Sequence, residues 1–380
     1  MSSLGNNGGP GARKTISFAL PVLLTIVLAI LPVSVNMGFT LVLFGNIMMY
    51  IVMSSSWAMF SGPTGYMSLA PAAFFGSGVY AVTLLIRVMP ATLPWWATVP
   101  LLVVAGGLAS LIVAVIIGSI TLRLRGVYFT IFSFALVKLL DSVILFTVLR
   151  TAKTKGLHVL LKMTDAKMKQ VPIGQDQLNN IIYYGVLILA FLTLLCAVIL
   201  KRTKLGKSLT AIGESEEAAA HVGINTTLTK VSGFAISAFW AGAVGALWAF
   251  KKQYVDPNFA FDLFMSFVPV LMAVFGGMGY LAGPVVGAVV FTLIKEVVNE
   301  QAPSYSMLIT GCVMVVAILF MPTGIVGLPR RFMTWLEDGG PIKLWRRIIS
   351  RIKCIVNGIR RVISRIAKKE NSKKEGGGEP

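Results

Sequence analysis

Apolar runs of about 20 residues, the length at which a helix crosses a hydrocarbon core, recur along almost the whole of this chain. Ten are read, at 16–35, 39–59, 72–88, 97–122, 127–149, 181–200, 232–250, 263–281, 283–298 and 307–321. In lipid the backbone must satisfy its own hydrogen bonds, so segments of this length and continuity cross as helices. Composition agrees: 56% of the 380 residues are hydrophobic and 13% charged, where a soluble domain carries about 25% charged residues. The mean hydropathy is +0.80. The predicted fold is all-α, a polytopic membrane helix bundle of about ten spans with broken helices. The Gly/Asn/Ser-rich residues 1–12 are predicted to be disordered. Residues 13–328 form the membrane domain, and 329–380 a basic tail.

Lysines and arginines in short loops set the orientation. Placing Arg13 and Lys14, Arg123 and Arg125, Lys201 to Lys207, and Arg330 and Arg331 inside puts both termini in the cytoplasm. The Pro94-Trp95-Trp96 turn then lies at the outer interface. One loop opposes this count: Arg150, Lys153, Lys155, Lys162, Lys167 and Lys169 fall outside. The isolated Cys196, Cys312 and Cys354 have no metal spacing and imply no disulfide framework.

The polar stretch 205–230 interrupts the apolar pattern. Glu214, Glu216 and Glu217 favour a helix start, and Ala218, Ala219 and Ala220 favour its continuation. Gly223 permits a left-handed stop, and Asn225 or Thr226 a new cap. A short helix, a sharp turn and a second helix are predicted. Such a knob serves either as a docking element or as a plain amphipathic linker. Three small-residue segments also break the spans: Ser61 to Gly78, Gly242 to Ala246, and Phe275 to Pro284. Broken backbone at membrane depth lines a wet path or is buried in protein, and small residues also permit close helix packing. Packing is the favoured reading for Gly242/Gly245, a path element for Gly62 to Ala70.

Five ordered motifs resemble the permeases of branched-chain amino-acid ABC importers, of the M-type. They are Gly62-Pro63-Thr64-Gly65-Tyr66-Met67-Ser68-Leu69 running to Tyr80; Leu122-Arg123-Leu124-Arg125-Gly126-Val127-Tyr128-Phe129; Gly206 to Asn225, containing Glu217-Ala218-Ala219-Ala220-His221-Val222-Gly223; the run from Phe234; and the run from Gly276. The resemblance implies a coupling helix that docks on a separate ATPase through Glu214, Glu217, Ala218, Ala219 and Gly223. It also implies a homologous H-type permease subunit, two ATPase subunits, an extracytoplasmic substrate-binding protein and a bacterial inner-membrane location. ATP and magnesium then belong to the ATPases, with no cofactor or metal in this chain. Two positions depart from the family pattern: Thr151-Ala152-Lys153-Thr154-Lys155-Gly156-Leu157 replaces a glycine-rich turn, and Lys138 replaces Glu or Gln. Both add positive charge, which leaves the solute open between branched-chain amino acids and related small amino acids or carboxylates.

Candidate pathway residues are Asn46, Ser54, Thr64, Gly65, Ser68, Lys138 and Asp141. Lys138 and Asp141 stand three apart on one helix face, as a mutual pair or as a polar station on a path. For the hydroxyls and Asn46, a hydrogen bond within the bundle is the plainer role. Leu205-Gly206-Lys207-Ser208 ends like a phosphate loop, but Lys201 occupies the position of its first glycine, so no phosphate cradle forms. In the tail, Trp345, Ile348, Ile352, Ile355, Ile359 and Ile363 recur among arginines and lysines as a basic amphipathic helix suited to anionic lipid, with packing on the ATPase or nucleic acid as alternatives. The function read from the sequence is a transport subunit and not an enzyme. An ATPase-independent channel or secondary transporter is the alternative.

Overall fold

A computed structural model describes residues 38–88, 95–152, 157–158, 175–252, 254–301, 303–305, 308–312 and 324–327. The expected span at 16–35, about two thirds of that at 307–321, the 1–12 segment, the loop lysines from Lys153 to Lys169 and the 329–380 tail lie outside them. The helices below belong to the first of two compact units, residues 1–326.

The described chain is a bundle of α-helices. In order they are α1 (Gly38–Thr64), α2 (Pro71–Val88), α3 (Trp95–Thr121), α4 (Val127–Ala152), α5 (Gln175–Arg202), α6 (Lys204–Glu214), α7 (Glu216–His221), α8 (Thr226–Lys251), α9 (Pro257–Ala260), α10 (Leu263–Gly276) and α11 (Gly283–Gln301). Two short strands, β1 (Leu157–His158) and β2 (Tyr254–Val255), pair antiparallel with Leu157 opposite Val255. Sequence periodicity gave no sign of this pair, which is too short to carry an alternating pattern. Among the described residues six helices are long and apolar enough to cross a membrane.

Helix α8 is the axis of the bundle, with 83% of its span window buried within the chain. It packs most extensively on α3 and α2, and also on α1 and α5. Its glycines explain the close approach. A methyl group at Gly78 on α2 would overlap the Gly242 backbone, and one at Gly242 would overlap Ser110 on α3. One at Gly245 would meet the Phe75 carbonyl. The Gly242 to Ala246 segment is therefore a packing seam, as small-residue spacing in a membrane helix leads one to expect. Around it Phe74, Phe60 and Phe129 all pack on Phe234, with ring centroids 5.0, 5.1 and 6.1 Å away.

Two breaks differ in extent from their sequence reading. Helix α1 continues through Gly62 and Pro63 to Thr64, so the first break is only residues 65–70. Pro63 lies in the last turn, where a missing donor disrupts little of the remaining ladder. Gly65 then ends the helix at φ +69°, its N–H bonded to the Ser61 carbonyl at 3.0 Å. The second break shortens a predicted span: α10 stops at Gly276 rather than near 281, because Gly277 turns to φ +111°. Glycines 276, 283 and 287 then interlock, each without room for a methyl group.

Candidate functional site

The polar stretch between α5 and α8 folds as two short helices and a turn. Thr203 caps α6, accepting from the Gly206 N–H at 3.3 Å. Ser215 ends α6 and caps α7, accepting from the Ala218 N–H at 3.3 Å. Helix α7 closes at His221, Gly223 adopts φ +89°, and Asn225 caps α8 through the Leu228 N–H at 3.0 Å. Each local expectation from the sequence is met: acidic helix start, alanine body, left-handed glycine and polar cap. The knob presents Glu217, Ala218, Ala220, His221 and Val222 to the outside and buries Ala219 beneath them. Val222 is 83% exposed, an apolar side chain with no cover in this chain. Glu214 ends α6 on the same exposed surface.

Behind the knob lies an ionic clasp centred on Glu216, which the sequence reading used only as a helix-start charge. The Lys230 ammonium donates to Glu216 Oε1 at 2.7 Å and to the Leu122 carbonyl at 2.9 Å. Tyr66 donates its hydroxyl to Glu216 Oε2 at 2.5 Å. Lys230 also lies 4.9 Å from the Tyr66 ring centroid, and Arg125 stands 4.0 Å from the carboxylate. The Lys230 side chain is 2% exposed. Burial alone raises the pKa of Glu216, but the Lys230 and Tyr66 hydrogen bonds and the Lys230 and Arg125 charges outweigh it, and the carboxyl sits below the ordinary value. Burial, and then the hydrogen bond to Glu216, raise that of Tyr66. The clasp joins α7 to the start of α8, to the 65–70 break and to the α3–α4 turn. A signal for it existed: Lys230 stands one turn inside an apolar helix, where a cation needs an anionic partner.

Glu217 faces the other way. Among the described residues it pairs only with Arg125, at 3.2 Å, in a contact whose side chains are 77% and 64% exposed. Such surface pairs contribute little, about 0–1 kcal/mol, so Glu217 is available to another partner.

The seven pathway candidates do not converge. Asn46 accepts from the Lys251 ammonium at 3.0 Å. Ser54 donates to the Pro284 carbonyl at 3.1 Å, and Thr64 to the Phe60 carbonyl at 2.7 Å. Gly65 and Ser68 shape the break. The Ser68 carbonyl accepts from the Trp57 indole at 2.7 Å. Lys138 and Asp141 pair at 3.4 Å on α4. A cavity of about 370 Å³ opens between α1, α5, α6 and the 278–284 segment, and none of the seven lines it. Among the described residues no cluster of His, Cys, Asp and Glu is suited to a metal ion.

Residues 39–318 match the family described as the permease component of the branched-chain amino acid transport system. The high-affinity branched-chain amino acid permease LivM of Salmonella typhimurium is 27% identical over 300 residues, covering 74% of this chain and 69% of that protein. The LivM protein of Escherichia coli is 26% identical with the same coverage. The LivH permease of Escherichia coli matches over 144 residues at 27% identity, 37% of this chain and 46% of that one. No solved structure matches. With a seam-packed bundle of apolar helices, a polar knob clasped to it and a family match over most of its length, this chain belongs to the permease components of branched-chain amino acid transport systems, with its likeness to the M-type.

Proposed function

We propose that this permease works as one half of the transmembrane body of a binding-protein-dependent ABC importer. Its partners are a homologous H-type subunit, two ATPases that carry the ATP and magnesium, and an extracytoplasmic binding protein. The solute is a branched-chain amino acid or a related small amino acid or carboxylate. The complete chain has about ten spans and lies in a bacterial inner membrane with both termini cytoplasmic, its basic tail on anionic lipid. The coupling surface is Glu217, Ala218 and Gly223 with Glu214 and Ala219 in support. Asn46, Ser54, Thr64, Gly65, Ser68, Lys138 and Asp141 remain the candidates for the path.

One observation supports this reading above the others. The exposed face of α7 is free for a partner, while its inner face is clasped by Glu216 to Tyr66 at the broken segment and to Lys230 on the central helix. A push on the knob therefore reaches both the break and the bundle axis without passing through a flexible linker. No bond-making chemistry is needed in this chain; the work is mechanical.

The test is uptake of labelled leucine by liposomes holding the complete importer, with and without enclosed ATP. Uptake that requires ATP is expected, with Glu217→Lys and Gly223→Pro abolishing both uptake and solute-stimulated hydrolysis while the protein stays inserted. Uptake without ATP identifies a channel or secondary transporter instead. Wild-type rates in both variants refute the coupling assignment.

A further inference from the structure

The cavity of about 370 Å³ is in the size range of small-molecule sites, roughly 300–1,000 Å³. Its walls are aliphatic, from Met59, Leu194, Ala197, Leu200 and Leu281, and Lys201 supplies a cation at its edge. None of its lining residues is acidic. Ser55 also lines it, is 4% exposed, and its hydroxyl has no hydrogen-bond partner among the described residues. A methyl at Gly279, which lines the cavity too, would meet no atom within 4 Å. The lining thus offers an aliphatic slot and one cation. A two-chain lipid is far too large for it.

The walls belong to parts that must move if the knob is driven. Gly206 and Thr210 of α6 form one side, and Gly62 and Pro63 of α1 another. Helix α6 rests directly on α1, since a methyl at Gly213 would overlap the Pro63 carbonyl. A solute in the cavity bridges α6, α1 and the 278–284 segment and resists their relative displacement.

We infer that this cavity is a second solute site, on the cytoplasmic side in the topology proposed above, which takes a small aliphatic carboxylate and restrains the coupling helices when filled. It gives the importer feedback from accumulated product. The inference rests on the importer reading for its direction, and on the cavity alone for its ligand class. An amino acid and its deaminated acid share the required chemistry, an aliphatic body and a carboxylate for Lys201.

The complete importer, reconstituted with ATP enclosed, is loaded internally with leucine, with 4-methylpentanoate or with neither. Either internal solute is expected to slow uptake of external labelled leucine about fivefold or more, within the usual span of allosteric coupling. Equal potency shows that the ammonium is not read; a leucine-only effect shows that it is. Equal potency upholds the ligand class, and a leucine-only effect overturns it, because no lining residue is acidic. Lys201→Gln, and separately Ala197→Phe, which fills the slot, relieve the inhibition while unloaded vesicles transport normally. A direct readout runs beside it: labelled 4-methylpentanoate or leucine binds the solubilised importer about tenfold more weakly in Lys201→Gln, as loss of a charge-assisted hydrogen bond implies. Absence of binding to the wild type, or inhibition that persists in both variants, overturns the inference. Failure of unloaded wild-type vesicles to take up leucine instead refutes the solute reading, and the binding measurement still decides the cavity.

Discussion

Lys230 and Glu216 are the pair on which the geometry of the knob depends most. The ammonium is almost fully buried, so removing its anion leaves a charge without compensation, a change that costs about 3–5 kcal/mol in comparable settings. Glu216→Gln is expected to approach the lower figure, because the Leu122 carbonyl still accepts from Lys230; a thermal melt of the purified permease measures it. The pH dependence has a definite sign. The folded carboxyl titrates below the ordinary value of 4.5, so its contribution is complete above that value. It is lost as pH falls through the lower folded value. The mutant melt is therefore expected to lack the part of the acid-side decline that Glu216 contributes. Sequence alone located the knob, because capping and propensity act over a few neighbouring residues. It did not rank Glu216 above Glu214 and Glu217. Which of three nearby carboxylates turns inward depends on Tyr66 and Lys230, supplied by other segments of the fold.

At the scale of elements, glycine decides how closely the helices pack. Gly242→Val forces a branched side chain against Ser110 and the Gly106 carbonyl, and overpacking of this kind costs about 1–3 kcal/mol. Gly45→Ala on α1 is the matched control, since nothing lies within 4 Å of the new methyl; it is expected to be neutral or stabilising by up to about 1 kcal/mol. Melting the two variants side by side separates crowding from helix propensity. The helices were legible because apolar length and continuity are local properties. Their ends were less so: α1 absorbs Gly62 and Pro63, whereas α10 stops short at Gly276. The difference is set by what each glycine packs against, and no window of sequence contains that. The pathway residues were legible as polar groups in apolar helices, but Asn46, Ser54 and Thr64 are each engaged by a hydrogen bond within the bundle.

For the whole molecule, the proposed topology places Arg13 and Glu375 inside and Lys155 outside. Single cysteines at these positions, labelled from outside in intact cells, are expected to react only at 155; labelling near Glu214 from that side reverses the orientation. The clasp also has a consequence for how the protein is made. Its members are Tyr66, Leu122 with Arg125, Glu216 and, last in the chain, Lys230. A ribosome delivers them in that order, so the acceptors are all synthesised before the cation that joins them. Until residue 230 emerges, Glu216 lacks its closest counter-charge and the knob has no fixed attachment to the central helix. A chain truncated just before that lysine keeps only the Tyr66 and Arg125 contacts of Glu216, whereas one truncated after α8 already has the lock closed.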